Sequence, residues 1–360
     1  MGKRTKRIVG FDLARALAIL GMVIVNYKLS MKAEGAGPEW LVAFTGAFEG
    51  RASAIFVLLA GIGISLMTRQ ARMSLLKDTI RKNQITIWKR SVFLLGLGLG
   101  LSLLGWDADI LHYYAVYLLI ASFFISASNK ILLTSTLTLL VSSQIFQLLF
   151  DYTKGWDTSF QSYETFWTVN GFISNLLFNG YHPIFPWVCF FLFGMWFGRL
   201  DFNNKKLRIN MLIISIVGAT IFEATSYLLI QVTSTSLGLE IAQYLFSTKP
   251  MPPNMFYMLA STSTALIVIL LCVYLSETLK NGAITKAFVY TGQMALTHYV
   301  GHFLLLFVFH LAGQLDKSSS LFFSTICAFS FFFFAMIFSI VWKKFFERGP
   351  IELVMRKISG

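Results

Sequence analysis

Apolar stretches long enough to cross a bilayer alternate with short polar connections along almost the whole chain. A helix spanning about 30 Å of hydrocarbon needs roughly 20 residues and must pair its own backbone groups. Ten stretches meet that requirement, at about 8 to 29, 52 to 68, 91 to 105, 109 to 127, 131 to 150, 183 to 198, 210 to 230, 256 to 275, 287 to 312 and 320 to 342. The pattern predicts an all-α, polytopic integral membrane protein of about ten transmembrane helices, read as a single membrane domain over 1–360.

The polar connections are unequal. Basic residues gather in every second one: the N-terminal MGKRTKR, the loop from Arg69 to Arg90, Lys130, the turn from Arg199 to Arg208, the segment around Lys280 and Lys286, and the tail from Lys343. The intervening connections hold Lys28, Lys32, Arg51, Lys154, Lys249 and Lys317, together with many acids, among them Glu34, Glu39, Glu49, Asp107, Asp109, Asp151, Asp157, Glu164, Glu240 and Asp316. Lys and Arg mark the cytoplasmic side, so both termini are expected inside, and an acceptor from outside meets an acidic, aromatic rim. The segment from Tyr163 to Tyr181 is too interrupted to span and reads as an interfacial helix covering a cavity.

Composition agrees with lipid as the solvent: the chain is 56% hydrophobic and 13% charged, with a mean hydropathy of +0.67. A formal charge of +13 would suggest nucleic acid in a soluble protein. Here the excess lies in the inner connections, so nucleic acid is not an expected partner, whereas anionic membrane lipids are. Cys189, Cys272 and Cys327 all fall in apolar stretches, in odd number, which points to small buried hydrophobes. No cleavage site follows the basic N-terminus before Lys28, and the first span reads as a retained helix.

Polar residues inside the spans carry the candidate chemistry, because lipid excludes them unless packing or function demands them. Asp12 and Arg15 share a face of the first span, either as a structural ion pair or with Arg15 holding an anionic cofactor from the cytoplasm. Asn26 and Tyr27 can donate to a developing oxyanion or serve packing. Asp109 stands three residues before His112, spaced either to orient the imidazole as a general base or to cap the helix. His182, beside Pro183, is a rival base, and His302, deep in the ninth stretch, either handles protons as another rival or hydrogen-bonds helix to helix. His298 and His302 have a spacing also used for metals, but no third ligand accompanies them, and no metal is expected. Glu223 needs a partner or a wet cavity within its span. Gly61, Gly63, Gly96, Gly98 and Gly100 read as helix-packing positions, not as a phosphate loop.

Six blocks carry a resemblance. FDLARALAILGMVIVNY, FEGRASAIFVLLAGIGISLM, GWDADILHYYAVYLL, GYHPIFPWVCFFLFGMWFGRLD, TGQMALTHYVGHFLL and ERGPIELVMR occur in the order found in the YeiB-like family of bacterial membrane proteins. That family is similar to the heparan-alpha-glucosaminide N-acetyltransferases and to a broader transmembrane acyltransferase group, through the Asp-x-x-Arg start and Val-Asn-Tyr finish matched by Asp12, Arg15, Val25, Asn26 and Tyr27. The resemblance implies acyl transfer, acetyl first among the groups moved, from acetyl-CoA or another acyl-CoA to an amine or hydroxyl of a glycan or similar small acceptor across the bacterial cytoplasmic (inner) membrane. The acetyltransferases carry a catalytic histidine in the loop after the Asn-Tyr pair, and the segment from Lys28 to Arg51 has none. Ala16, Gln293, His298, Leu353 and Met355 also depart from the common wording and point to a subgroup with its own substrate.

The resulting expectation assigns proton abstraction to His112 with Asp109 as orienter, His182 and His302 as rivals, and Asn26 and Tyr27 as oxyanion donors on the acyl-CoA path. A transporter or lipid-handling protein without acyltransferase activity is the alternative, and it predicts helices broken at corresponding depths. A homodimer is compatible with such a chain.

Overall fold

The protein is described by a computed structural model covering residues 7–158, 160–279, 282–313 and 320–360. Lys280, Asp316, Lys317 and the residues before Arg7, used above for sidedness, lie outside the described residues. The chain is an all-α polytopic membrane protein.

Its helices, in order, are α1 (Val9–Ser30), α2 (Glu39–Gly46), α3 (Arg51–Met67), α4 (Arg69–Ser74), α5 (Lys77–Leu103), α6 (Leu111–Phe123), α7 (Asn129–Leu149) and α8 (Val169–Ser174), which runs into a π-helical turn at Asn175–Asn179. There follow α9 (Ile184–Phe197), α10 (Lys205–Leu237), α11 (Leu239–Phe246), α12 (Met255–Thr278), α13 (Ala283–Gln293), α14 (Ala295–Leu311), α15 (Leu321–Trp342) and α16 (Pro350–Ser359). Among the described residues, α1, the continuous α2–α3 stretch, α5, α7, α10, α12 and α15 are long and apolar enough to cross a membrane. Two further pairs qualify only as bent units, the α8–π segment with α9 at 47° and α13 with α14 at 79°, while α6 is a short apolar helix. Each of the ten expected stretches thus has a helix, but the ninth is broken at Met294 and the fourth is only 13 residues long.

The Arg69 to Arg90 connection differs from a loop. It holds α4, a left-handed Leu75 with φ of 53°, and the first turns of α5, which carries its helix far beyond the apolar stretch. The Tyr163 to Tyr181 segment is likewise not one interfacial helix. With the preceding loop it forms a small aromatic cluster of Trp156, Tyr163 and Phe166, onto which Leu99, Phe172, Tyr181 and Met251 pack. Asn179 fastens this cap: its Nδ2 donates to Tyr152 O and Lys154 O, and its Oδ1 accepts from Tyr163 and Ser174.

The chain divides into two compact units, one running through Phe56 and resuming at Ala265–Val354, the other Val57–Thr264 with Met355–Gly360. In the first, α1 is the central helix and packs on α13, α14 and α15. Gly292 lets α13 approach the α1 backbone at Asp12, and Gly10 rests on the backbone of Val273. In the second, α5 packs on α6 and α7 on α9. A Cβ at Gly61 or Gly194 would run into backbone of α9 or α3 respectively, so the small residues let these two helices touch main chain to main chain. Gly96 and Gly100 face open space, which removes them as packing positions.

Candidate functional site

In the second unit the functional group begins with space made by glycine. Gly98 of α5 lies so close to the start of α6 that a Cβ there would strike the Asp109 carboxylate and the His112 amide nitrogen. Into that space Asp109 turns its carboxylate. Oδ2 accepts from the His112 backbone N–H at 3.0 Å and stands 2.9 Å from His112 Nδ1, so one oxygen both caps α6 and orients the imidazole. Asp109 is fully buried and His112 is 1% exposed. A carboxylate beside Nδ1 selects the tautomer protonated there and leaves the lone pair of Nε2 outward. That nitrogen is buried and has no hydrogen-bond partner.

Aromatic residues wall this nitrogen. Tyr113 stacks obliquely on His112 with ring centroids 3.8 Å apart, and Phe166 and Phe172 from the cap stand at 5.6 and 6.4 Å. The Tyr113 hydroxyl donates to Asn175 Oδ1 on the π turn, a distortion often met at functional positions. His182 lies 6.0 Å from Tyr113 and 4.5 Å from Trp187, ring to ring, and its carbonyl accepts from Tyr117. His182 Nδ1 and Trp187 Nε1 are buried without partners, like His112 Nε2. Three unpaired ring nitrogens, on His112 and His182 beside Tyr113 and on Trp187 beside His182, are costly unless a polar ligand or water meets them. Trp187 is the member that sequence reading missed; its place one turn after His182 and Pro183 was the available signal.

The first unit holds a different arrangement. Asn26 Nδ2 from α1 lies 2.9 Å from His302 Nε2 on α14, and Tyr27 stacks on the same imidazole at 6.4 Å with its buried hydroxyl unpartnered. His298 Nε2 bonds Ser339 Oγ at 2.7 Å, tying α14 to α15. Among the described residues no group of three His, Cys, Asp or Glu side chains is placed to hold a metal.

At the opposite end of α1, buried Asp12 accepts from Arg15 Nη1 at 2.8 Å and from Arg7 Nε and Nη2 at 2.7 and 3.0 Å, with Gln293 Nε2 at 3.4 Å. One carboxylate therefore faces two guanidinium groups, leaving positive charge over. The break at Met294 is held by Glu352, whose carboxylate accepts from Leu296 N at 2.8 Å, Thr297 N at 3.2 Å and the Thr297 hydroxyl. Burial raises the Glu352 carboxyl above its ordinary range. Glu223 is bonded by Thr248 Oγ1 at 2.8 Å.

The model of the family described as "Heparan-alpha-glucosaminide N-acetyltransferase, catalytic" matches residues 7–233, more than half the chain. A second, described as "Protein of unknown function (DUF418)", matches residues 194–360. No curated protein matches the chain. Asn26, Asp109, His112 and His182 fall within the first match, whereas His302 falls only within the second.

Proposed function

Because this chain belongs to the heparan-alpha-glucosaminide N-acetyltransferase catalytic family, and is a YeiB-like membrane protein related to those acyltransferases, we propose that it moves an acyl group, acetyl first among them, from acyl-CoA to a hydroxyl or amine of a glycan or similar small acceptor. The donor approaches from the cytoplasm and the acceptor from the far side of a bacterial inner membrane. The Lys and Arg bias of the inner connections supports this sidedness, with both termini on the donor side.

The observation that carries the reading is the buried Asp109–His112 pair with His112 Nε2 open. An alcohol attacks a thioester poorly until a base removes its proton, as does an ammonium until it is neutral. In the proposed step Nε2 takes that proton while the acceptor oxygen or nitrogen bonds to the thioester carbonyl. The tetrahedral oxyanion collapses, the carbon–sulfur bond breaks, and the CoA thiolate leaves with the proton returned from Nε2. Asp109 holds the Nδ1–H and stabilises the transient imidazolium. His182, facing Tyr113, and Trp187, beside His182, are placed to hold the acceptor's polar groups, and the aromatic wall suits the apolar face of a sugar ring. Asn26, Tyr27 and His302 form the rival centre, with Arg15 as a contact for an anionic donor.

The test is CoA release and product formation by the purified full chain given labelled acetyl-CoA and a panel of amino sugars. His112→Ala is expected to abolish both, and retention of full transfer by this variant, with loss in His302→Ala, overturns the assignment.

The two bent helix pairs favour a second reading, transport, since broken spans line many substrate paths. Against it, the N-terminus of half-helix α14 is already filled by Glu352 instead of being open to a ligand. Substrate flux in proteoliposomes lacking acyl-CoA would favour transport.

A further inference from the structure

At the end of α9 remote from His182, Gly198 presses against α3. A Cβ on it would stand 3.0 Å from Ile62 Cα and 3.1 Å from Ser65 Cβ. Two arginines hang on either side of this contact. Arg72 Nη1 donates to the Ser65 carbonyl at 3.2 Å and to the Ser65 hydroxyl at 3.3 Å. Arg199, the neighbour of Gly198, donates from Nη1 to Ala127 O at 2.7 Å and Asn129 Oδ1 at 3.0 Å.

All four acceptors are neutral. Among the described residues neither guanidinium makes an ion pair. Asp201, the nearest carboxylate in sequence, is turned back onto Asn203. Arg199 Nε and Nη2 are sealed from solvent and have no acceptor. Burial, with the charge of Arg72 added, pulls the Arg199 guanidinium down to about 10, and burial lowers Arg72 as well, with Arg69 adding to it. Two neighbouring cations, one of them with buried donors that lack an acceptor, call for a counter-anion, and the guanidinium fork matches the oxygens of a phosphate.

We propose that Arg72 and Arg199 form a binding site for a phosphate group, carried either by CoA or by the headgroup of an anionic lipid. The CoA source rests on the acyl-transfer reading, and the lipid source does not. In either case Arg199 meets the phosphate through its free Nε–Nη2 edge while Nη1 keeps its hold on the α6–α7 connection. Ser65 fixes Arg72 as the second arm.

The experiment uses the full chain in nanodiscs, without acceptor, so that failure of acyl transfer and failure of this site are separate results. CoA and dephospho-CoA are titrated in zwitterionic discs, and thermal midpoints are compared in discs with and without phosphatidylglycerol. Arg199→Gln and Arg72→Gln are expected to weaken CoA binding by roughly tenfold or more, or to remove the phosphatidylglycerol-dependent rise in midpoint, with Arg199→Lys intermediate. Loss of the first response identifies CoA, with dephospho-CoA reporting whether its 3′-phosphate is the group held; loss of the second identifies the lipid. Arg72→Gln, at the more open position, stands in if Arg199→Gln does not fold. Unchanged responses to both probes in the folded variants overturn the proposal.

Discussion

His112 in one unit and His302 in the other are both buried imidazoles bonded to a polar side chain, yet these partners make them chemically different. Asp109 takes the near nitrogen of His112 and leaves the far one open. Asn26 offers its amide N–H to Nε2 of His302, engaging the lone pair that a base would use. A carboxylate also stabilises an imidazolium once formed, whereas an amide donor opposes it. The comparison teaches that the partner's chemistry, more than burial, decides which histidine can accept a proton from substrate.

The sharpest way to break that contrast is to remove each imidazole. His112→Ala should lower acyl transfer by about 10²- to 10⁴-fold, the range general-base catalysis supplies, with the midpoint of thermal unfolding little changed. His302→Ala should cost stability first and turnover by less than about tenfold, since it deletes a clamp between α1 and α14. Reversal of the two turnover losses would transfer the base to His302. Asp109→Asn comes next: with an amide at Nδ1 the tautomer preference is lost, and turnover should fall by roughly 10²-fold or more with KM nearly constant.

Gly98→Ala sharpens the same comparison from behind. The added methyl meets the Asp109 carboxylate and the His112 amide nitrogen, so the pair must part or α5 must retreat. The expected outcome is a loss of about 1–3 kcal/mol in stability, with turnover reduced by about as much as in Asp109→Asn. Gly96→Ala, where nothing lies within 4 Å, is the control, and its helix should be slightly more stable.

How much of this was readable in advance follows from the range of each interaction. Asp109 and His112 are three residues apart at a helix start, so local periodicity puts them together. Asn26 and His302 are 276 positions apart, and no pattern within one sequence encodes that meeting. Hydropathy located the ninth span, but its break at Met294 was hidden because no proline marks it and the apolar stretch resumes after Thr291–Gln293. The residue that holds the break, Glu352, lies in an amphipathic helix outside the spans and reads there as a surface acid. The fourth span ends at Phe123, short of its apolar run, where Ser122 accepts from Trp88 and donates to Leu119 O. Arg7 escaped notice as a partner of Asp12 because a basic tail reads first as a sidedness signal.

Glu352 supplies the smallest effect and the one that tests the broken helix. Its carboxyl is raised in the folded protein mainly by burial, opposed by the bonds from Thr297 and Leu296. A raised carboxyl binds its proton more tightly folded than unfolded, so the stabilisation it gives is complete below the ordinary value of 4.5 and is lost as pH rises through the higher folded value. The wild-type thermal midpoint should therefore decline as pH rises above 4.5. Glu352→Gln keeps an acceptor for Leu296 N and cannot titrate, so its midpoint should be flatter over the same range. Glu352→Ala removes the acceptor as well and should cost about 1–2 kcal/mol at every pH, as loss of a helix cap does. A pH slope surviving in Glu352→Gln would place the titrating group elsewhere and leave the α13–α14 break held by packing alone.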